Sequence, residues 1–313
     1  MSRYGPRLNG YSPGCSGPYT GFTGMPDSVL RSSVAAMGRI VGLVACTPHP
    51  GLGTAIVGKH AIDLATCRPA IVDQVTLKSE ATVRVAKDSQ SIVFKGKVVL
   101  RIHENHKGFP AGSPGPIELE GVTPDGKWIL YAIDPMGSAS LAADGLTLRA
   151  VSVATGRSRV VASGLLYDDY RAWCGNKLVM TAGGDRISTH NKWLIVTGPP
   201  DWHARVLVKD SRLAFGSLAC GGGGVVVQSA PASGVNDTVH PHWSLWRVSL
   251  DGRRTRLTTP PPGLSDASPQ VAGSVVYFVR GGWLYALHVG RLMKLPPTEG
   301  YYGHTAWPYA VTR

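Results

Sequence analysis

Two short runs contain the side chains of this sequence that are best suited to binding a ligand. The first run consists of Tyr167, Asp168, Asp169, Tyr170 and Arg171. The second run, close to the C-terminal end, contains Tyr301, Tyr302, His304 and Trp307. Aromatic rings beside a few charges are typical of concave sites for carbohydrates, peptides and proteins. We therefore predict binding contacts by five of these residues, namely Asp169, Arg171, Tyr301, Tyr302 and His304. In the alternative interpretation, the rings fill gaps in the packing of the protein.

Histidine pairs provide an enzymatic alternative. His240 and His242 stand two apart at the start of a predicted strand, so both imidazoles project to one side. With a neighbouring acid such as Asp237, they offer donors that zinc or copper accepts. His103 and His106 form a second pair. A metal-assisted lyase or lactonase is the kind of enzyme that these residues would support. We favour solvent-facing loop positions for both pairs, and we predict neither a metal nor a cofactor.

Motifs for nucleophilic catalysis and phosphate binding do not fit this sequence. A serine nucleophile elbow requires a strand-to-helix turn, and the pattern predicts no such α/β unit. No length remains for a hydrolase domain beside the predicted repeats. The glycine run at residues 221–224 has no following helix and no Lys-Ser/Thr pair, so it is not a phosphate loop. We assign no catalytic residue.

The charge balance is strongly basic, with a formal net charge of +12 and a pI of about 9.7. Such a balance favours anionic partners in general. The basic residues are nevertheless dispersed, and the densest group, Arg253, Arg254 and Arg256, lies on a predicted turn. No aromatic-plus-basic motif of a nucleic-acid reader is present. We therefore expect a protein, peptide or glycan partner and no nucleic acid.

The five cysteines do not form a zinc framework, because no CxxC pair occurs among them. Cys174 and Cys220 lie at similar points of neighbouring predicted repeats. A disulfide between them would form in an oxidising compartment. Two buried free thiols are the other interpretation, and the sequence leaves both open.

The N-terminal segment is rich in Gly, Pro and Ser and has no apolar periodicity. We predict an irregular lead-in over residues 1–38 and no transmembrane helix, since no run of eighteen apolar residues exists. Residues 43–46 spell LVAC, which is similar to a bacterial lipoprotein cleavage box. Because Arg39 interrupts the apolar stretch before it, we favour a strand over residues 40–46.

From residue 39 onward, short apolar segments alternate with tight turns. The clearest turn is Pro124-Asp125-Gly126, which combines a preset φ at proline with a glycine that tolerates positive φ. The final hairpin turn of each repeat falls at Cys67, Gly108, Gly156, Asp201, Gly252 and Gly290, with separations of 41, 48, 45, 51 and 38 residues. A period of about forty to fifty residues with several strands per unit is typical of propeller blades.

The predicted fold class is therefore all-β, with a six-bladed β-propeller of four-stranded antiparallel blades over residues 39–313. The first repeat lacks one inner strand, and residues 304–312 form an extra strand without a hairpin partner. We predict that this C-terminal strand completes the first blade and closes the propeller, which removes both exposed edges. We expect a monomer.

Several repeat segments resemble the TolB-like, WD-type β-propeller repeats of bacteria. These segments are TPDGKWILYA at residues 123–132, LRAVSVATGRSRVVA at 148–162, WRVSLDGRRTRLTTPP at 246–261 and SDASPQV at 265–271. The resemblance covers residues 39–313 and implies a binding or scaffold role without fixed chemistry. It also implies an extracytoplasmic location, whether periplasmic, secreted or lipid-anchored. No signal peptide is evident, so a cytoplasmic location stays open.

Overall fold

The computed structural model describes residues 54–57, 60–63, 68–69, 83–87, 90–102, 117–134, 143–234, 241–295 and 309–312. These segments are almost entirely strand and turn, with a 3₁₀ turn over Asp168–Tyr170. Within them, no helix is long and apolar enough to cross a membrane. The described part of the chain is thus nearly all-β, in agreement with the sequence pattern.

The described strands form six antiparallel sheets that follow one another along the chain. The first sheet contains β1 (Thr54–Val57), β2 (His60–Asp63), β3 (Arg68–Pro69) and the C-terminal β23 (Tyr309–Thr312). The second contains β4 (Val83–Val85), β5 (Ser91–Phe94) and β6 (Lys97–Arg101). The third contains β7 (Ile117–Val122), β8 (Trp128–Ile133), β9 (Thr147–Ser152) and β10 (Ser158–Ser163).

Three further four-stranded sheets complete the series. The fourth contains β11 (Arg171–Cys174), β12 (Lys177–Ala182), β13 (Trp193–Thr197) and β14 (Arg205–Val208). The fifth contains β15 (Leu213–Gly221), β16 (Gly224–Pro231), β17 (Ser244–Ser249) and β18 (Arg254–Arg256). The sixth contains β19 (Asp266–Ala272), β20 (Val275–Arg280), β21 (Trp283–His288) and β22 (Arg291–Lys294).

This series is consistent with the predicted β-propeller. Four of the predicted final hairpin turns lie between the third and fourth strands of their sheets, as predicted. These are the turns at Gly156, Asp201, Gly252 and Gly290. Cys67 and Gly108, like the strand predicted over residues 40–46, lie outside the described residues. As predicted, the C-terminal strand pairs with the first sheet, with Thr312 opposite Thr54.

Apolar clusters lie between successive sheets, because most central strands are buried on both faces. In β8, Ile129 joins a cluster with the second sheet, whereas Leu130, the next residue, joins a cluster with the fourth. In the same way, Val225 packs toward the fourth sheet and Val226 toward the sixth. The central strands are therefore continuous apolar runs rather than alternating ones, as expected for sheets that stack face to face.

The first strands of several neighbouring sheets also lie against one another: β4 contacts β7, β11 contacts β15, and β15 contacts β19. β19 in turn contacts β23, an edge strand of the first sheet. Propellers place the first strand of each blade around a central channel. The contacts between these strands agree with that arrangement.

A side-chain network fixes the turn between β7 and β8. Thr123 Oγ1 donates to Asp125 Oδ1 at 2.6 Å, and the Lys127 amide donates to the same oxygen at 3.1 Å. The Trp128 amide donates to Thr123 Oγ1 at 3.0 Å. The hydrogen bonds from Thr123 and Lys127 lower the pKa of the Asp125 carboxyl below its usual value. Asp125 therefore stabilises the turn, which is the role that its sequence context predicts.

The outer hairpin of the fifth sheet presses against the last strand of the fourth. Gly252 has a φ of +92°, and a Cβ atom added to it would lie only 2.8 Å from the carbonyl oxygen of Leu207. Gly156 has a φ of +67°, and a Cβ atom added to it would lie 2.9 Å from the carbonyl oxygen of Val99. Glycine is needed at both positions for its positive φ and for this close approach.

Cys174 and Cys220 form a disulfide, with their Cα atoms 5.4 Å apart. The two residues lie in β11 and β15, the first strands of adjacent sheets. Of the two interpretations that the sequence left open, pairing is the one that the structure contains.

Candidate binding face

The 3₁₀ turn over Asp168–Tyr170 brings the chain from the third sheet into the first strand of the fourth. Tyr170 is buried, whereas Tyr167 is 40 % exposed, and their rings meet edge to face with centroids 5.2 Å apart. Such ring pairs stabilise a fixed relative orientation. The tyrosine pair therefore anchors the turn, and Asp168 and Asp169 between the two rings remain exposed.

Arg171 is held by groups on two sheets. Its Nη2 lies 2.5 Å from Oε2 of Glu120 on β7 and 3.1 Å from Oδ1 of Asp168. Its Nη1 donates to the Leu166 carbonyl at 3.3 Å. The side chains of Arg171 and Glu120 are only 11 % and 7 % exposed. Arg171 thus joins the first strands of the third and fourth sheets and positions the turn rather than presenting its guanidinium to solvent.

Glu120 lies at an irregularity of β7, where the pairing with β8 shifts register between Leu119 and Gly121. A bulge of this kind turns a side chain away from its regular direction. Burial raises the pKa of the Glu120 carboxyl, and the Arg171 cation opposes that rise. The negative charge of Asp168 raises the pKa further. The pair is therefore held in surroundings that solvate charge poorly.

Asp169 reaches toward the fifth sheet. Asp169 is exposed as a residue. Burial of its carboxyl by the surrounding protein raises the pKa of that group. A hydrogen bond with Ser217 on β15 opposes the shift. Asp169 therefore combines an exposed residue with a carboxyl whose hydration is reduced. Such a carboxyl gains more from a ligand's N–H or O–H donor than a fully hydrated one does.

A polar network continues from Ser217 to the sixth sheet. The Ser217 amide donates to Gln228 Oε1 at 3.1 Å, and Gln228 Nε2 donates to the carbonyl oxygen of Asp266 at 2.7 Å. The Asp266 carboxylate accepts two hydrogen bonds from Arg280, at 2.5 and 2.9 Å. All four residues are buried. The network fixes the first strands of the fifth and sixth sheets relative to each other, next to Asp169.

The loop between β12 and β13 lies at the same end of the fourth sheet, because the end of β12 lies beside the start of β11. His190 Nδ1 is 2.5 Å from Asp185 Oδ2, and the Lys192 ammonium donates to the backbone carbonyls of Asp185 and His190. Burial lowers the pKa of Lys192. Hydrogen bonds from the Ile187 amide and from His190 lower the pKa of Asp185. These contacts close the loop upon itself and give this end of the sheet a fixed shape.

Of the residues predicted to bind a ligand, Asp169 and Arg171 lie together on this face, which we call the Asp169 face. It consists of Tyr167, Asp168 and Asp169, with Arg171 and Glu120 behind them. Tyr301, Tyr302 and His304 lie outside the described residues. The sequence pattern did not single out Glu120 or Ser217, because each is a lone polar residue within an ordinary strand.

The histidines and carboxylates that the sequence offers as metal ligands lie mostly outside the described residues. Among the residues that the structure describes, no group of three or more His, Cys, Asp or Glu side chains is placed to hold a metal ion. His242 Nε2 instead accepts a hydrogen bond from the Gly263 amide at 3.1 Å. The other residues considered as ligands, His103, His106, Asp237 and His240, lie outside the described residues.

No protein-family model and no curated protein matches this chain. Solved structures with a similar fold include TolB proteins from Agrobacterium tumefaciens, with 16% identity and a TM-score of 0.37, and from Acinetobacter baumannii, with 13% and 0.38. The first match covers 64% of this chain and 65% of that protein; the second covers 82% and 68%. An oligogalacturonate lyase from Vibrio parahaemolyticus matches at 11% identity and a TM-score of 0.42, over 75% of this chain and 70% of the lyase. Similarity at this level assigns no activity and no ligand.

Proposed function

We propose that this chain is a non-catalytic binding or scaffold protein that takes up a protein, peptide or glycan at the Asp169 face. In this proposal, residues 39–313 form a six-bladed β-propeller, closed by β23, and residues 1–38 precede it as an irregular lead-in. The face then borders one mouth of the central channel. The chain acts as a monomer that displays a preformed surface.

The observation that carries the proposal is the environment of the Asp169 carboxyl. Asp169 is an exposed residue beside Ser217 on β15, and the surrounding protein raises the pKa of its carboxyl. The buried Arg171–Glu120 pair holds the segment that presents it. A rigid site loses little conformational entropy when a ligand binds. Hydrogen-bond donors of a peptide backbone, a basic side chain or a sugar hydroxyl are the groups that this carboxyl would bind.

We further propose an extracytoplasmic location. The disulfide between Cys174 and Cys220 supports it, because such bonds persist mainly in oxidising compartments. Reduced and non-reduced peptide maps of the protein purified from its native cells would test this. A free Cys174 thiol in that material would contradict the proposal.

Asp169→Asn tests the site directly. Wild-type protein is screened on peptide and glycan arrays, and the best ligand is then titrated against the variant. We expect about a tenfold loss of affinity, because a charge-assisted hydrogen bond is replaced by a neutral one. Asp201→Asn is the matched control, since Asp201 is an exposed carboxylate in the turn after β13, at the opposite end of the same sheet. Equal affinity of both variants for that ligand would refute the proposed site.

A metal-assisted lyase or lactonase is the competing function. It depends on His240 and Asp237, which the structure does not describe. Elemental analysis of the purified chain distinguishes the two functions. A stoichiometric metal that is lost in His240→Ala, together with turnover of a uronide or lactone, would replace the binding proposal.

A further inference from the structure

Arginine residues that are far apart in the sequence are brought near one another at the outer edges of the fourth and fifth sheets. We call this group the arginine seam. Its members are Arg205, Arg212, Arg253, Arg254 and Arg256. All five residues are exposed. The sequence presented only the last three as a group, so the fold creates a more concentrated positive surface than the dispersed charge suggested.

Contacts between the fourth and fifth sheets bring Arg205, Arg212 and Arg254 together. Arg205 Nη2 donates to the carbonyl oxygen of Leu250 at 2.8 Å, which joins β14 to the turn before β18. Arg254 Nη2 lies 2.9 Å from Asp210 Oδ2, and Arg212 Nε lies 3.5 Å from Asp210 Oδ1. The segment that contains Leu250 and Arg254 therefore runs beside the segment that contains Arg205 and Asp210.

The seam carries more positive charge than its carboxylates neutralise. Among the described residues, Asp210 pairs with Arg254 and Arg212, and Asp251 pairs with Arg253 at 2.8 Å. Arg205 and Arg256 donate to backbone carbonyls, which carry no net charge. Five guanidinium groups thus share two carboxylates. Guanidinium groups bind carboxylates in a bidentate geometry, so the seam favours carboxylate partners.

The same seam contains a strand edge. The Ser249 amide donates to the carbonyl oxygen of Arg253 at 2.9 Å, and the Leu257 amide donates to that of Leu245 at 2.8 Å. Residues in an antiparallel pair point their N–H and C=O groups alternately toward and away from the partner strand. The N–H and C=O groups of Arg254 and Arg256 therefore point away from β17, toward the outer edge.

We propose that β18 accepts an extended, acidic segment of a partner protein as an additional strand. The outward backbone groups of Arg254 and Arg256 pair with the backbone of that segment, and the seam arginines pair with its carboxylates. Only a polypeptide uses both features at once. A nucleic acid would use the guanidinium groups through its phosphates but not the outward backbone groups, and a single strand would also stack its bases on an exposed ring. The aromatic residue at the seam, Trp246, is partly buried, with the Arg254 guanidinium 5.9 Å from its ring centre.

The probe is a fluorescent synthetic peptide of alternating Glu and Thr, about six residues long to match a typical strand. Its binding to the full chain is followed by fluorescence anisotropy. We expect saturable binding that weakens as salt is added. Arg254→Glu with Arg256→Glu is expected to lower the affinity tenfold or more, because attraction becomes repulsion at both positions.

Two controls separate strand addition from simple charge attraction. Arg157→Glu with Arg159→Glu makes the same charge change on the exposed outer hairpin of the third sheet, and we expect less than a twofold effect. A probe with the same sequence but N-methyl groups on alternate amides keeps its carboxylates and loses strand hydrogen bonds. It is expected to bind wild-type protein about tenfold more weakly, a comparison that does not depend on the folding of any variant.

Several outcomes would overturn the proposal. If the methylated and unmodified probes bind equally, no strand is added. If single-stranded DNA or vesicles of anionic lipid bind more tightly than the peptide and lose affinity in the seam variant, the surface serves those partners instead. If the peptide does not bind, the arginines protect a sheet edge from aggregation. The result is independent of the Asp169 face, because Asp169→Asn leaves the seam unchanged.

Discussion

Arg171 on β11 and Glu120 on β7 form an ion pair of 2.5 Å between two first strands that lie 51 residues apart in sequence. Both side chains are largely shielded from solvent. Breaking such a pair by removing one partner leaves an unpaired charge in poorly hydrated surroundings. The pair is therefore the part of the Asp169 face whose loss has the largest expected effect on stability.

Arg171→Met is expected to lower the free energy of unfolding by about 3 kcal/mol at neutral pH. The loss should shrink as the pH falls toward the ordinary pKa of glutamic acid. Burial already raises the pKa of Glu120 in the folded state, and removal of the cation raises it further. An acid with a raised folded pKa destabilises the fold increasingly as the pH rises above its unfolded pKa. Urea unfolding between pH 4.5 and pH 8 measures this dependence.

The matched control is the double variant Arg171→Met with Glu120→Gln, which removes both charges. It should recover much of the lost stability at neutral pH and show a weaker pH dependence. A loss of stability in the single variant that does not change with pH would show that Glu120 does not sense the missing cation.

The disulfide between Cys174 and Cys220 should contribute about 4 kcal/mol to stability in the chain-entropy model, given a sequence separation of 46 residues. Cys174→Ser with Cys220→Ser should lower the free energy of unfolding by that amount. Reducing agent should lower the free energy of unfolding of the wild-type protein similarly and leave that of the variant unchanged. Alkylation of all five cysteines under denaturing, non-reducing conditions would contradict the presence of the bond.

Gly252→Ala should be more destabilising than Gly290→Ala. Both glycines have positive φ, at +92° and +73°, so both substitutions lose about 1 kcal/mol from backbone strain. At Gly252 the new Cβ also approaches the Leu207 carbonyl oxygen at 2.8 Å, whereas no atom lies within 4 Å at Gly290. We expect a further loss of about 1–3 kcal/mol at Gly252, typical of overpacking. Thermal unfolding compares the two, and equal losses would mean that the strands separate freely there.

The local elements of this fold could be predicted from the sequence because each depends on neighbouring residues. The predicted turn glycines Gly252 and Gly290 lie between the last two strands of their sheets. The recurrence of such turns every 38 to 51 residues then indicated repeated sheets. Strands and turns of this kind depend on residues that are close in the sequence, so one sequence is enough to predict them.

The ion pair of Arg171 and the arginine seam could not be predicted in the same way. Glu120 meets Arg171 because the third and fourth sheets stack, and it lies where the pairing of β7 with β8 shifts register. Arg205 meets the β17–β18 turn 45 residues later for the same kind of reason. No periodicity marks such contacts, since they depend on how whole sheets pack. Charge that looks dispersed along a repeat sequence can therefore be concentrated on the folded surface.

The burial of β8 on both faces has a consequence for how its position along β7 is determined. If β8 shifted by one residue along β7, Leu130 would take the place of Ile129 in its apolar cluster, or the reverse. Both faces of β8 would then still be hydrophobic. Hydrophobicity alone therefore discriminates poorly between the correct alignment and its nearest competitor. The alignment of β8 with β7 is therefore determined by the hydrogen-bonded turn of Thr123 and Asp125, which connects the two strands.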